Sequence, residues 1–138
     1  MSSSSPKAPP GERPAGTPVV LIVDDSEKNR KLTRAVLQAA GFRTLEAARG
    51  DEAMDIAAKR RPDVVLLDLQ LPDISGMEVA RRLREGAATG RIPVVALSAS
   101  PYAGGTDRLL AAGFDGYLQK PFDVREFPEQ VRGFCRGC

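Results

Sequence analysis

Residues 64–73 read VVLLDLQLPD: four apolar residues in succession, an aspartate, and then a turn at Leu-Pro-Asp. An apolar run without polar alternation is the signature of a strand buried on both faces, as in a parallel sheet. A buried strand that ends on a carboxylate, here Asp68, is either capping the next element or doing chemistry. The choice depends on what other strands bring to the same place.

Outward from this strand the chain alternates. Val19 to Val23 is a second continuous apolar run. Ser26 is placed to cap a helix from Glu27 to Ala40, with Leu32, Ala35, Val36 and Ala39 on one face. Gly41 is the expected left-handed stop. Strands are predicted at Phe42 to Ala47, Asp63 to Asp68, Pro93 to Ser98 and Gly116 to Gln119. Helices are predicted at Asp51 to Arg60 (Ala53, Met54, Ala57 and Ala58 inward), Ser75 to Glu85 (Met77, Val79, Ala80 and Leu83 inward), Gly105 to Ala112 and Asp123 to Phe134. Pro128 conflicts with the last of these. Either it kinks a helix capped by Asp123, or residues 123–127 form a turn and the helix starts at Pro128. The stretch Pro101 to Gly105 is expected to be mobile.

Five strands, each followed by a helix, imply right-handed crossovers and a doubly wound α/β fold: a five-stranded parallel sheet with helices on both faces. Residues 1–17, rich in Ser and Pro without periodicity, read as a disordered tail, leaving 18–138 as the single domain.

Composition narrows the function. The chain has 138 residues, 42% hydrophobic and 28% charged, enough for one domain with a real core. Twenty basic against 18 acidic residues give a net charge of +2, which implies no direct nucleic acid or membrane partner. The runs Lys59-Arg60-Arg61 and Arg81-Arg82 read as solvated helix faces. Histidine is absent, which removes histidine-based catalysis and a phosphohistidine-carrier role. No apolar run spans a bilayer and the N-terminus is not a signal peptide, so a cytoplasmic location is expected. Cys135 and Cys138 read as ordinary reduced thiols.

In such a sheet, function collects at the carboxyl ends of the strands. There the chain carries Asp24-Asp25 after the first strand, Asp68 on the third, Ser98 on the fourth and Lys120 after the fifth. With strand order 2-1-3-4-5 these groups converge on one edge. Clustered carboxylates repel and need positive charge. Lys120 supplies some, and an all-oxygen site with room for water suits Mg²⁺. Such a site can accept a phosphoryl group: a carboxylate as nucleophile, Lys120 and the Ser98 hydroxyl on phosphoryl oxygens.

The stretches LIVDDSEKNRKL, VVLLDLQLPDISGMEV, IPVVALSAS and GYLQKPF resemble the response-regulator receiver domain of bacterial two-component systems, over residues 18 to 134. DLQLPDISG with IPVVALSA is most similar to the stand-alone, DivK-like type. The resemblance implies a flavodoxin-like receiver fold in which Asp68 takes a phosphoryl group from the phosphohistidine of a sensor histidine kinase or phosphotransfer protein. It implies Mg²⁺ held by Asp24, Asp25, Asp68 and the backbone carbonyl of Gln70. Ser98 would be the switch hydroxyl with Tyr117 as its aromatic partner, and Lys120, before a cis bond to Pro121, would pair with the phosphate. Gln70 and Ser100 would tune hydrolysis. Output would run through the fourth helix, fifth strand and fifth helix to a downstream protein, since no effector domain follows in this sequence. Such a domain is not an enzyme beyond its own phosphorylation and dephosphorylation.

Two other readings compete. An aspartate-nucleophile phosphatase of the haloacid-dehalogenase type uses similar residues, but on its first strand and with a cap domain. A constitutive receiver-like scaffold would be expected to have lost part of the acidic set.

Overall fold

The computed structural model describes residues 17–69, 71, 73–98, 105–119 and 124–135. The strands are β1 (Val19–Val23), β2 (Arg43–Ala47), β3 (Val64–Asp68), β4 (Val94–Ser98) and β5 (Gly116–Gln119). The helices are α1 (Glu27–Ala39), α2 (Gly50–Arg60), α3 (Gly76–Glu85), α4 (Gly105–Ala111) and α5 (Phe127–Phe134). All four strand pairings are parallel and the sheet order is β2-β1-β3-β4-β5, as expected.

The apolar runs earn their burial by alternation across the sheet. Leu21, Val23, Val65, Leu67, Val94 and Ala96 pack on one face against Ala53 and Ala57 of α2, Val79, Ala80 and Leu83 of α3, and Leu109 of α4. Val20, Ile22, Val64, Leu66, Val95 and Leu97 pack on the other, against Leu37 of α1 and Phe127 and Val131 of α5. Burying both faces is what distinguishes these uninterrupted runs from the half-exposed edge strand β2, whose Glu46 pairs with Arg30 and Arg34 of α1.

The inward faces of two helices differ from expectation. In α1 the buried residues are Thr33 and Leu37, whereas Leu32 is 58% exposed and Ala35 and Ala39 face solvent. In α2, Ala58 is exposed and Ile56 packs inward beside Met54. Alanine is the best helix former wherever it sits, so its positions carry little information about which face is buried. Arg30 and Arg34 are half-buried, and their guanidinium groups reach Glu46. Gly41 stops α1 at φ +98°, as read.

The last helix is not Asp123 to Phe134. Residues 124–126 form a turn and α5 starts at Phe127, with Pro128 in its first turn, where a missing N–H costs nothing. Its end abuts β5: a Cβ on Gly116 would run into the Phe134 ring. Cys135 is disulfide-bonded rather than reduced, and the one other cysteine, Cys138, lies outside the described residues. The basic runs are solvated as expected: Lys59 pairs with Asp55, Arg81 with Glu78 and Glu85, and Arg82 with Glu78. Among the described residues, no helix is long and apolar enough to cross a membrane.

Candidate metal and phosphoryl site

Strand register decides which side chains meet. Val23 pairs with Leu67, which sets Asp24 beside Asp68, and Asp68 pairs with Leu97, which sets Ser98 one residue further along the next strand. Asp24, Asp25 and Asp68 each offer a carboxylate oxygen within 4.8 Å of the others. Asp24 is buried, Asp68 half-buried and Asp25 exposed. The cluster is therefore a cup open on one side. Its donors are all oxygen, which fits a hard divalent cation such as Mg²⁺.

The acidic residues are held from behind. Asp24 N–H donates to the Ala47 carbonyl at 3.1 Å, and Asp24 Oδ1 accepts from Ser26 N–H at 2.9 Å. Ser26 caps α1 as expected, its side chain accepting from Asn29 N–H. Arg30 Nη1 donates to the Asp24 carbonyl at 2.7 Å while its Nε donates to Glu46 at 3.3 Å. A cation thus fixes the peptide joining the two adjacent aspartates, a role the sequence alone does not announce.

Ser98 and Ala96 share a sheet face by alternation, and Tyr117 pairs with Ala96 in register. Tyr117 is half-buried and packs on the same face. Ser98 and Tyr117 are therefore on one side of the sheet at neighbouring strands. Gln70, Ser100, Lys120 and Pro121, like Pro101–Gly104, lie outside the described residues.

The loop after Asp68 contains two residues whose importance is tertiary. Gly76 opens α3, and a Cβ there would sit 2.8 Å from the Asp68 carbonyl oxygen and 2.8 Å from Leu69 Cα. Asp73 accepts at both carboxylate oxygens, from Gly50 N–H at 2.8 Å and Asp51 N–H at 3.0 Å. Those two N–H groups hold its carboxyl well below the usual range, at about 2.

Carboxylates this close oppose one another, and a bound divalent cation would relieve that repulsion. Asp25→Asn is expected to raise the metal-free melting temperature by about 3 °C, the scale of one screened charge pair. With saturating Mg²⁺ the wild type should regain the advantage, because the variant has lost a ligand. Thermal melts with EDTA and with Mg²⁺ check this crossing.

This arrangement has counterparts. The response regulator receiver domain model matches residues 20–132, and the chain belongs to that family. It is 38% identical over 115 residues to the polar-differentiation response regulator DivK of Brucella anthropi, a match covering 83% of this chain and 94% of that one. DivK of Brucella ovis is 37% identical over 118 residues, covering 86% and 96%. The chemotaxis protein CheY4 of Vibrio cholerae superposes with a TM-score of 0.81 at 29% identity, over 86% of this chain and 99% of that one. The receiver domain of a sensor histidine kinase from Pseudomonas aeruginosa, which has a magnesium ion coordinated in its active-site cleft, gives 0.78 at 30% identity, over 86% and 98%.

Proposed function

We propose that this receiver domain accepts a phosphoryl group on Asp68 from the phosphohistidine of a sensor histidine kinase or phosphotransfer protein, and switches the binding of a downstream protein. The observation that carries this reading is the three-carboxylate cup around the end of β3. It rests also on kinship with receivers, one of which has magnesium in its cleft.

In this mechanism an Asp68 carboxylate oxygen attacks phosphorus, an O–P bond forms, and the N–P bond to the donor imidazole breaks. Asp24, Asp25, Asp68 and the Gln70 carbonyl hold Mg²⁺, which when bound neutralises the charge gathered by carboxylates and phosphoryl oxygens. Lys120 pairs with one phosphoryl oxygen and the Ser98 hydroxyl donates to another. Gln70 and Ser100 flank the group and set its lifetime.

A phosphoryl group can favour one conformation only through contacts made in that state. Drawing the Ser98 hydroxyl toward the site vacates space on the face it shares with Tyr117, and the ring rotates into it. The changed surface is that of α4, β5 and α5, where the downstream partner docks. Residues 18–138 act as the signalling unit, residues 1–17 as a tail outside it, and the donor kinase places the reaction in the cytoplasm.

The test is intact-protein mass after incubation with acetyl phosphate. The expected result is one added phosphoryl group with Mg²⁺ and none with EDTA. Phosphorylation that ignores EDTA would contradict the role of the carboxylate cup.

A further inference from the structure

We propose that Asp73 is a positioning residue for the acidic site, acting by clasping the loop that leaves Asp68 to the start of α2. The inference rests on the metal-dependent reading above and extends it to a carboxylate that does not enter the cup.

Helix α2 begins without a cap of its own. Its flanking residue is Arg49, whose side chain makes no capping bond. The first N–H groups of a helix need partners from elsewhere. They find them in Asp73, 23 residues further along, which spends both carboxylate oxygens on Gly50 and Asp51 N–H. Below this charged clasp lies an apolar one. A Cβ on Gly50 would be 2.6 Å from Ile74 Cγ1 and 2.8 Å from Val79 Cγ2, so no side chain fits between the helix and the loop. Asp73 and Ile74 together dock the loop on α2.

The other end of the loop is closed as tightly. Gly76 N–H donates to the Leu69 carbonyl at 3.1 Å, and the Gly76 Cα lies against the Asp68–Leu69 backbone. Position 70, whose carbonyl is the expected fourth protein ligand of the metal, falls between these two anchors in the chain. With its base fixed on the Asp68–Leu69 backbone and its tip fixed on α2, the loop holds the Asp68 side of the cup in place before a cation arrives. Without Asp73 the described residues of the loop keep apolar contacts, from Leu71 and Ile74, and metal binding must order more of the loop. Groups that orient metal ligands from outside contribute about 10–100-fold in affinity.

Calorimetric titration of Mg²⁺ into the full chain tests this, for the wild type, Asp73→Ala, Asp73→Asn and Arg84→Ala. Arg84 lies at the opposite edge of the sheet and controls for lost stability. Asp73→Ala is expected to weaken Mg²⁺ binding about tenfold, the lower end of that range. Asp73→Asn, which keeps one acceptor oxygen, should fall between it and the wild type. Arg84→Ala should bind as the wild type does despite a lower melting temperature. Wild-type affinity in Asp73→Ala would overturn the positioning role and leave Asp73 a helix cap only. No Mg²⁺ binding by the wild type would overturn the metal reading itself, and the positioning role with it.

Discussion

Gly76→Ala is expected to destabilise the protein by about 1–3 kcal/mol and to slow phosphoryl acceptance by about 100-fold. Both figures follow from one contact. The added methyl would sit 2.8 Å from the Asp68 carbonyl oxygen and from Leu69 Cα, and neither backbone atom can swing aside as a side chain would. Alanine ordinarily favours a helix over glycine by about 1 kcal/mol, so a loss of stability here would mark overpacking against the propensity gain. The backbone that must yield carries Asp68, the proposed nucleophile. A displacement on the order of 1 Å is enough to take Asp68 out of line with the phosphoryl group in the proposed reaction. Denaturant unfolding and the rate of phosphorylation by acetyl phosphate measure the two effects separately.

Arg84→Ala should cost more stability and no chemistry. Arg84 leaves the last turn of α3 and donates through Nε to the Gly113 carbonyl at 2.8 Å. Its Nη1 donates to the Gly90 and Ile92 carbonyls at 2.8 and 3.2 Å. Its Nη2 pairs with Asp115, whose Oδ2 also accepts from Val94 N–H at 2.8 Å. One guanidinium thus joins α3, the loop into β4 and the loop into β5. Hydrogen bonds to a charged group contribute about 1.5–3 kcal/mol each when shielded, and the side chain is 26% exposed, which weakens them. A loss of about 2–4 kcal/mol follows, or roughly 10 °C in melting temperature. The staple sits at the amino ends of β4 and β5, so Mg²⁺-dependent phosphorylation should persist below the new transition. A variant that melts as the wild type does would show the staple to be ornamental.

Much of this architecture was legible because its signals are local. VVLIV, VVLLD and VVALS do not alternate, so they declare strands covered on both faces, and the acidic residues stand at the ends of the first two. The convergence of Asp24, Asp25 and Asp68 then needed only the strand order. The inward faces of α1 and α2 were less legible. Counting alanines as apolar selected Ala35, Ala39 and Ala58, which face solvent, over Thr33 and Ile56, which pack inward. Pro128 posed its two alternatives correctly, and the fold takes the one that spares a hydrogen bond.

The residues whose roles were missed are those whose partners lie in other elements. Asp73 reads as a turn residue until α2 is seen to start at Arg49-Gly50 without a cap. Arg84 reads as one more exposed charge in RRLRE, and Arg30 as part of a solvated helix. Each is defined by carbonyls or N–H groups from other elements, and no periodicity encodes those. Cys135 illustrates the same limit, since composition argued for a thiol and the structure has a disulfide.

The proposed switch depends on Asp68 as the residue that receives the phosphoryl group. Intact-protein mass of the wild type and Asp68→Asn, each incubated with Mg²⁺ and acetyl phosphate, tests it most directly. One phosphoryl group is expected on the wild type and none on the variant. An equal adduct on Asp68→Asn would contradict it, because the nucleophile would then lie elsewhere than at the end of β3.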